Sequence, residues 1–322
     1  MRTIALEEHY ATPGFLEGPG RQVRDMAQAM AGDQIIGQLC DVGEGRIAAM
    51  DAAGIDVQVL SLTAPGVEQL DPPDAITGAR DTNDHLADAI TRHPTRFAGL
   101  ATLPTPAPSA AADELHRALT DHWFVGAVIN GHTRGRYLDD EAFWPIFSAA
   151  ETLNVPIYLH PTPPPQPVID ATYAGNYPVQ VAATLATVAW GWHIDTATHI
   201  LRIVLSGALD RFPRLQLIIG HMGEGLSFFL PRIEATLSRV VTLDRPIGDY
   251  FRENLHYTFA AFNWTPTFLN LLLHVGVDRI LFATDHPYAS MARARTFLDD
   301  LPVSPADKHR IAHTNAEFLL GL

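Results

Sequence analysis

The chain has 322 residues, 47% of them hydrophobic, and its 36 acidic side chains outnumber 22 basic ones to give a formal net charge of −14. That length and apolar content suffice for one large core, so a single domain over 1–322 is expected, while the acidic excess, offset by no Lys/Arg cluster, excludes nucleic acid and anionic membrane as partners. Cys40 is the one cysteine and admits no internal disulfide; with no apolar run of roughly 20 residues to span a bilayer and no secretory core at the N-terminus, the expected compartment is the cytoplasm.

In chain order, eight apolar runs read as strands: TIALEEH, VQVLSLTAP, FAGLATLP, WFVGAVING, VPIYLHP, LQLIIGHMG, NLHYTFAA and RILFATDHP. Between them lie GRIAAMDAAG, ITGARDTNDHLADAITRH, PSAAADELHRALTDH, EAFWPIFSAAETL, HILRIVLSGALD, LPRIEATLSRVV and TPTFLNLLLHVG, which read as helices. Short, continuously apolar strands alternating with helices imply a parallel sheet covered on both faces, and eight units imply an α/β fold, the (β/α)8 TIM barrel. An open doubly wound sheet is the alternative, but no G-x-G-x-x-G follows the first strand. Two long insertions, about Thr12 to Asp41 and the Pro-rich PTPPPQPVIDATYAGNYP, follow strand C-termini and are expected over the C-terminal face.

Polar residues interrupt the strand ends where the hydrophobic effect alone would place none. Glu7 and His9 close the first strand, Asn130 the fourth, His160 the fifth, His221 the sixth and Asp285 the eighth. In a barrel these ends form one ring. Strand alternation puts Glu7 and His9 on one face and Glu8 on the other, leaving Glu8 a supporting contact or a buried ion pair. Two carboxylates with two or three imidazoles and no thiolate suit one divalent ion, zinc or manganese. In HMGEG, Gly223 and Gly225 permit a tight turn, and Glu224 is expected to open a helix and to orient His221 for acid–base work. Tyr288, just past Asp285, is placed to face a planar ring, Asn130 is a further substrate-binding candidate, and Tyr173, Tyr177, Trp190, Trp192 and His193 could either line a pocket or fill core under a loop.

These segments resemble the amidohydrolase superfamily, and within it the metal-dependent hydroxybenzoate decarboxylases of the γ-resorcylate decarboxylase type. IALEEHY, MDAAGIDVQVLSLTAPGV, FAGLATLP, FVGAVING, VPIYLHP, SGALDRFPRLQLIIGHMGEGL and DRILFATDHPY carry the similarity over nearly the whole chain. The resemblance implies that Glu7, His9, His160 and Asp285 ligate one metal ion, with His221 and Glu224 as the neighbouring acid–base pair and Asp285 also catalytic. Many hydrolases of the superfamily have H-x-H after the first strand, whereas Glu7-Glu8-His9 here favours the decarboxylase branch and one ion. Arg232 falls at a position that in the family helps bind substrate or close a subunit interface.

The expected activity is therefore non-oxidative decarboxylation of a small hydroxylated aromatic acid by a carboxy-lyase without organic cofactor, in a homo-oligomer, dimer or tetramer. A lactone or amide hydrolase on the same barrel is the alternative, and a non-catalytic binding protein is a third reading.

Overall fold

A computed structural model describes residues 1–21, 24, 25, 28 and 33–322. All eight expected strands form: β1 Ile4–Tyr10, β2 Val57–Leu62, β3 Phe97–Thr102, β4 Gly126–Asn130, β5 Ile157–His160, β6 Leu217–Ile219, β7 Leu255–Thr258 and β8 Ile280–Leu281. Each pairs in parallel with the next, in the order β1 to β8. A parallel bridge between Leu6 and Ala283, with the Leu6 N–H donating to the Phe282 carbonyl at 2.9 Å, joins the last strand to the first. The fold is the α/β TIM barrel, its strands buried on both sides because helices cover the outer wall.

Two apolar layers follow from the strand period of two. Ile4, Leu6, Val57, Val59, Ala98, Leu100, Val128, Tyr158, Ile218 and Leu281 meet inside the barrel, where Ala316 and Leu320 of the last helix close the N-terminal end. Ala5, Tyr10, Leu60, Leu62, Ala101, Ile129 and Leu159 face outward into the larger layer between wall and helices. Strict alternation would put Glu7 outward with Ala5. Instead the register against β2 slips between Ala5 and Glu8, and Glu7 takes a left-handed backbone with φ of 62°. This bulge lets Leu6 and Glu7 both face inward, after which His9 faces in and Tyr10 out.

Helices open where the sequence supplies prolines or small polar caps. Asp71 and Ala107 precede the helices Pro72–Arg92 and Pro108–His122, each with proline in the first turn, where its missing N–H costs nothing. Gly54 ends Glu44–Ala53 with a φ of 70°. The helix expected over HILRIVLSGALD begins earlier, at Gly191, and breaks at Gly207 into Gly191–Leu205 and Ala208–Arg211. The segment expected over LPRIEATLSRVV likewise starts earlier, as Leu226–Leu237.

The Pro-rich insertion after β5 is not a bare connector, for it contains the helices Gln166–Thr172 and Val179–Ala186, capped by Pro165 and Pro178. The insertion after β1 contains Pro13–Glu17, capped by the Thr12 hydroxyl, and Asp33–Cys40. Its middle, residues 22, 23, 26, 27 and 29–32, lies outside the described residues. Phe15, Leu16 and Leu39 anchor it in the outer layer. No described helix is long and apolar enough to cross a membrane.

Candidate active site

Five polar side chains converge at the C-terminal strand ends. Glu7 Oε1 lies 3.6 Å from His160 Nε2 and 3.7 Å from His221 Nε2, and His9 Nε2 lies 3.2 Å from Asp285 Oδ1. The His9 and His160 rings meet edge to face, with centroids 4.8 Å apart. All five residues are buried. Glu7 is held from below: its Oε2 accepts hydrogen bonds from the Tyr158 hydroxyl and, at 2.7 Å, from the Thr258 hydroxyl.

The backbone at this ring is strained where the side chains demand it. Glu7, His221, Met222, Glu224 and Asp285 all have positive φ, a conformation costing an ordinary residue on the order of 1–3 kcal/mol each. His221 through Gly225 form a continuous left-handed turn closed by the Gly223 N–H to the Gly220 carbonyl at 2.8 Å. Glu224 therefore does not open the helix as expected. It lies in the turn ahead of the cap, Gly225, and its Oε1 accepts from His221 Nδ1 at 2.8 Å.

Burial opposes charge on His221, but the Glu224 and Glu7 carboxylates outweigh it and push its pKa up to about 10. Burial, with His9 and His221 nearby, holds His160 well below the ordinary imidazole value, leaving it neutral with a lone pair to give. Glu7 is raised by burial, which its neighbouring imidazoles only partly offset. Glu224 is lowered: burial works against its charge, but His221 and His193 together outweigh that.

Glu8 faces the opposite side, as alternation past the bulge requires. Its carboxylate accepts from the Thr284 N–H at 2.8 Å, the Thr284 hydroxyl at 2.6 Å and the Gln58 amide at 2.7 Å, and so ties β1 to the end of β8. Burial pushes its pKa up to about 8, against the pull of those bonds and of Arg46. The buried Arg46 guanidinium donates to the His9 carbonyl at 2.6 Å and the Gln38 carbonyl at 3.0 Å, fastening the insertion to the strand end.

Glu7, His9 and His160 form one group able to hold a metal ion, and His193, His221 and Glu224 form a second. The two differ in spacing. Two donors bound to one ion at about 2.1 Å sit roughly 3.0–3.4 Å apart. The Glu7–His160 separation of 3.6 Å leaves that room, and the His9–Asp285 contact of 3.2 Å, a long hydrogen bond here, falls in the same range. In the second group the carboxylate lies 2.5 Å from His193 Nδ1 and 2.8 Å from His221 Nδ1, hydrogen bonds with no space between them. Glu7 Oε1 is also buried without a hydrogen-bond donor, as are His9 Nδ1 and His160 Nδ1 without partners. A buried carboxylate oxygen left unpaired is costly, and a cation would satisfy it. The donors around Glu7 fit a divalent ion.

Two aromatic rings stand at the mouth. Tyr288, 42% exposed, lies 5.4 Å from the His9 ring and shares a 2.7 Å hydrogen bond with the Thr63 hydroxyl. Phe262, 37% exposed, lies 5.5 Å from the His221 ring and 5.3 Å from that of His193. Asn130 ends β4 beside His160, but its amide and N–H turn to Glu68, the N–H at 2.6 Å, and among the described residues its hydrogen bonds go to Glu68 rather than to the Glu7 group. Arg232 is exposed on Leu226–Leu237, its guanidinium making no contact with the group among the described residues. Of the aromatic set after β5, Trp192 and His193 reach the cluster, Tyr173 is buried, and Trp190 is 52% exposed. Tyr158, Thr258, Phe262 and the role of His193 were not expected from sequence; Tyr158 alone was signalled, standing two residues before His160 on the same face.

A parallel barrel whose strand ends gather one glutamate, one aspartate and three histidines around a cation-sized gap defines a metal-dependent barrel enzyme. The amidohydrolase family matches residues 40–322, and the chain belongs to that family. It is 37% identical over 335 residues to the γ-resorcylate decarboxylase of Rhizobium radiobacter, covering 99% of this chain and 98% of the relative. Among solved structures it is similar to the 5-carboxyvanillate decarboxylase of Novosphingobium aromaticivorans complexed with manganese and 4-hydroxy-3-methoxy-5-nitrobenzoic acid, at 34% identity and a TM-score of 0.92, covering 100% and 96% of the two chains. It is also similar to a dihydroxybenzoic acid decarboxylase from Polaromonas sp. with bound manganese and the inhibitor 2-nitroresorcinol, at 36% identity and a TM-score of 0.89, covering 100% and 97%.

Proposed function

We propose that this protein catalyses the non-oxidative decarboxylation of a hydroxylated aromatic acid. The observation that carries the reading is full-length similarity to decarboxylases of such acids, joined to a buried donor set of matching chemistry at the strand ends. Glu7, His9, His160 and Asp285 would hold one divalent ion, manganese in this reading. When bound, such an ion supplies Lewis-acid attraction for an anionic, oxygen-rich substrate.

The chain's own residues do the rest. Tyr288 and Phe262 flank a planar ring at the mouth and exclude water from its faces. Asp285 delivers a proton to the ring carbon that bears the carboxylate. The bond to the carboxylate then breaks, its electron pair returns to the ring, and CO2 leaves. His221, oriented by Glu224, hydrogen-bonds the phenolic oxygen next to the reacting carbon and steadies the charge that shifts onto it. No organic cofactor is required, because the ring hydroxyl itself stabilises the protonated ring. Arg232 and the adjoining exposed rings of Phe228 and Phe229, on one helix, support a homo-oligomer that buries this face.

The test is CO2 release from a panel containing 2,6-dihydroxybenzoate and 5-carboxyvanillate beside lactones and amides, run in D2O. Decarboxylation puts one deuterium on the carbon that lost CO2. Hydrolysis of a lactone or amide with no carbon-bound deuterium in any product overturns the reading.

A further inference from the structure

His193 is the member of the buried cluster that no strand end carries. It lies in the first turn of Gly191–Leu205, at the end of the segment that follows β5. Its Nδ1 is 2.5 Å from Glu224 Oε2, while Glu224 Oε1 is 2.8 Å from His221 Nδ1. One carboxylate thus bridges two imidazoles, an oxygen to each.

The proton positions follow from the outer contacts. The Trp192 indole N–H, which can only donate, points at His193 Nε2 from 3.0 Å. The Val188 carbonyl is near the same nitrogen, but farther, at 3.2 Å. An accepting Nε2 places the proton on Nδ1, directed at Glu224. The His193 ring is further fixed by Phe262, edge-on at 5.3 Å, and by the His221 ring at 4.8 Å. No Arg or Lys hydrogen-bonds Glu224 or forms an ion pair with it among the described residues. Without His193, Oε2 would be buried with no donor, and the carboxylate would be free to turn from His221.

We infer that His193 is a positioning residue of the acid–base pair, which holds the Glu224 carboxylate so that its other oxygen fixes the tautomer and direction of His221. This rests on the reading of His221 as a group acting on the substrate. It also makes the segment after β5 part of the catalytic apparatus, since the helix that bears His193 is anchored at the end of that segment. The separations of 2.5 and 2.8 Å are hydrogen bonds, which favours this bridge over a second metal ion shared by the same three side chains.

Two variants separate positioning from bulk. His193→Phe keeps a planar ring and removes the donor, whereas His193→Asn returns an N–H near the place of Nδ1. With manganese-loaded enzyme and 2,6-dihydroxybenzoate, His193→Phe is expected to lower kcat about 10- to 100-fold with KM changed less than about 3-fold and metal content unchanged, and His193→Asn to recover most of the loss. A far-downfield imidazole N–H resonance from the bond to Glu224 is expected in the proton spectrum and absent in His193→Phe. An unchanged kcat in His193→Phe overturns the inference, as do equal losses in both variants accompanied by a raised KM and a lowered melting temperature. Two metal ions per chain, one of them lost in His193→Phe, also overturn it. Should the wild-type protein release no CO2 from any hydroxybenzoate, the proposed function fails by itself. The spectrum then decides for His193: a downfield resonance lost in His193→Phe upholds the bridge, and its absence from the wild type overturns it.

Discussion

The two ends of the barrel both bury histidine, yet only one of them is arranged for chemistry. At the N-terminal end a cavity of about 770 Å³ is lined by Arg214, Gln216, His256, Arg279 and Arg310. His256 lies there with its Nε2 3.1 Å from Gln216 and 3.0 Å from Arg279, and burial together with that guanidinium presses its pKa down to about 3. The carboxylates that line the cavity, Glu253 and Asp278, are exposed. The left-handed residue of that wall, Asn154, caps the helix Trp144–Leu153, where such a conformation is routine. At the C-terminal end, by contrast, left-handed residues occur inside β1, just past β8 and in an unbroken run from His221 to Gly225, and a carboxylate oxygen is buried unpaired between imidazoles. Cavity volume alone would therefore mark the wrong end. His256 Nδ1 is buried unpaired as well, so it is strain together with an unpaired buried carboxylate oxygen that marks the right one, because neither would persist unless something else compensated for it.

The largest effect that should divide the ends is at Asp285. Asp285→Asn keeps size and an oxygen donor but removes the transferable proton, and kcat for decarboxylation should fall roughly 10⁴-fold. Steady-state kinetics beside a substrate-binding titration check this; near-normal turnover would return Asp285 to a structural role. His221→Asn should cost roughly 10²–10⁴ in kcat while metal content measured by elemental analysis stays constant. Loss of the ion would instead make His221 a ligand. Chelation should abolish turnover and lower the melting temperature, with both restored by added manganese. At a metal concentration 100 times Kd the linked stabilisation is about 2.7 kcal/mol. The opposite end supplies the control. His256→Gln should leave kcat within about 2-fold and cost about 1–2 kcal/mol in a urea melt, the scale of a disturbed buried hydrogen bond.

Much of this contrast was legible in the sequence, for a physical reason. Parallel strands covered on both sides are continuously apolar, so a polar residue at the end of VPIYLHP or RILFATDHP stands out against its neighbours. Glu7, His9, His160, His221 and Asp285 were found that way. Pattern failed where geometry departs from regular periods. Alternation paired Glu7 with His9, yet both face inward only because of a bulge that no residue of ALEEHY announces. Glu224 was expected in a helix, but it is one of four left-handed residues that precede the cap. Asn130 was expected on the rim, but its amide turns to Glu68, a residue in a turn far off in sequence. His193 was hidden for the same reason, being brought to Glu224 from a helix whose own periodicity explains it as an ordinary buried position.

Glu68 gives the smallest effect and draws the boundary within the C-terminal end itself. It is fully buried close to the ring, accepts from the Asn130 N–H at 2.6 Å, and has its second oxygen unpaired. Burial raises its pKa from 4.5 to about 8, with the Asn130 bonds pulling the other way. A folded-state pKa above the unfolded one means that folding takes up a proton. The stabilisation is complete below about pH 4.5 and is lost as pH rises through about 8. Glu68→Gln keeps the acceptor, cannot ionise, and removes that slope. Melting temperatures of the two proteins compared at pH 5.5, 7 and 8.5 should therefore move in favour of the variant as pH rises, with metal content unchanged throughout. A gap that stays constant with pH would show that Glu68 is ionised in the folded state and held by a cation, which would extend the metal-binding ring to the turn after β2 and erase the boundary between structural and catalytic carboxylates at this end of the barrel.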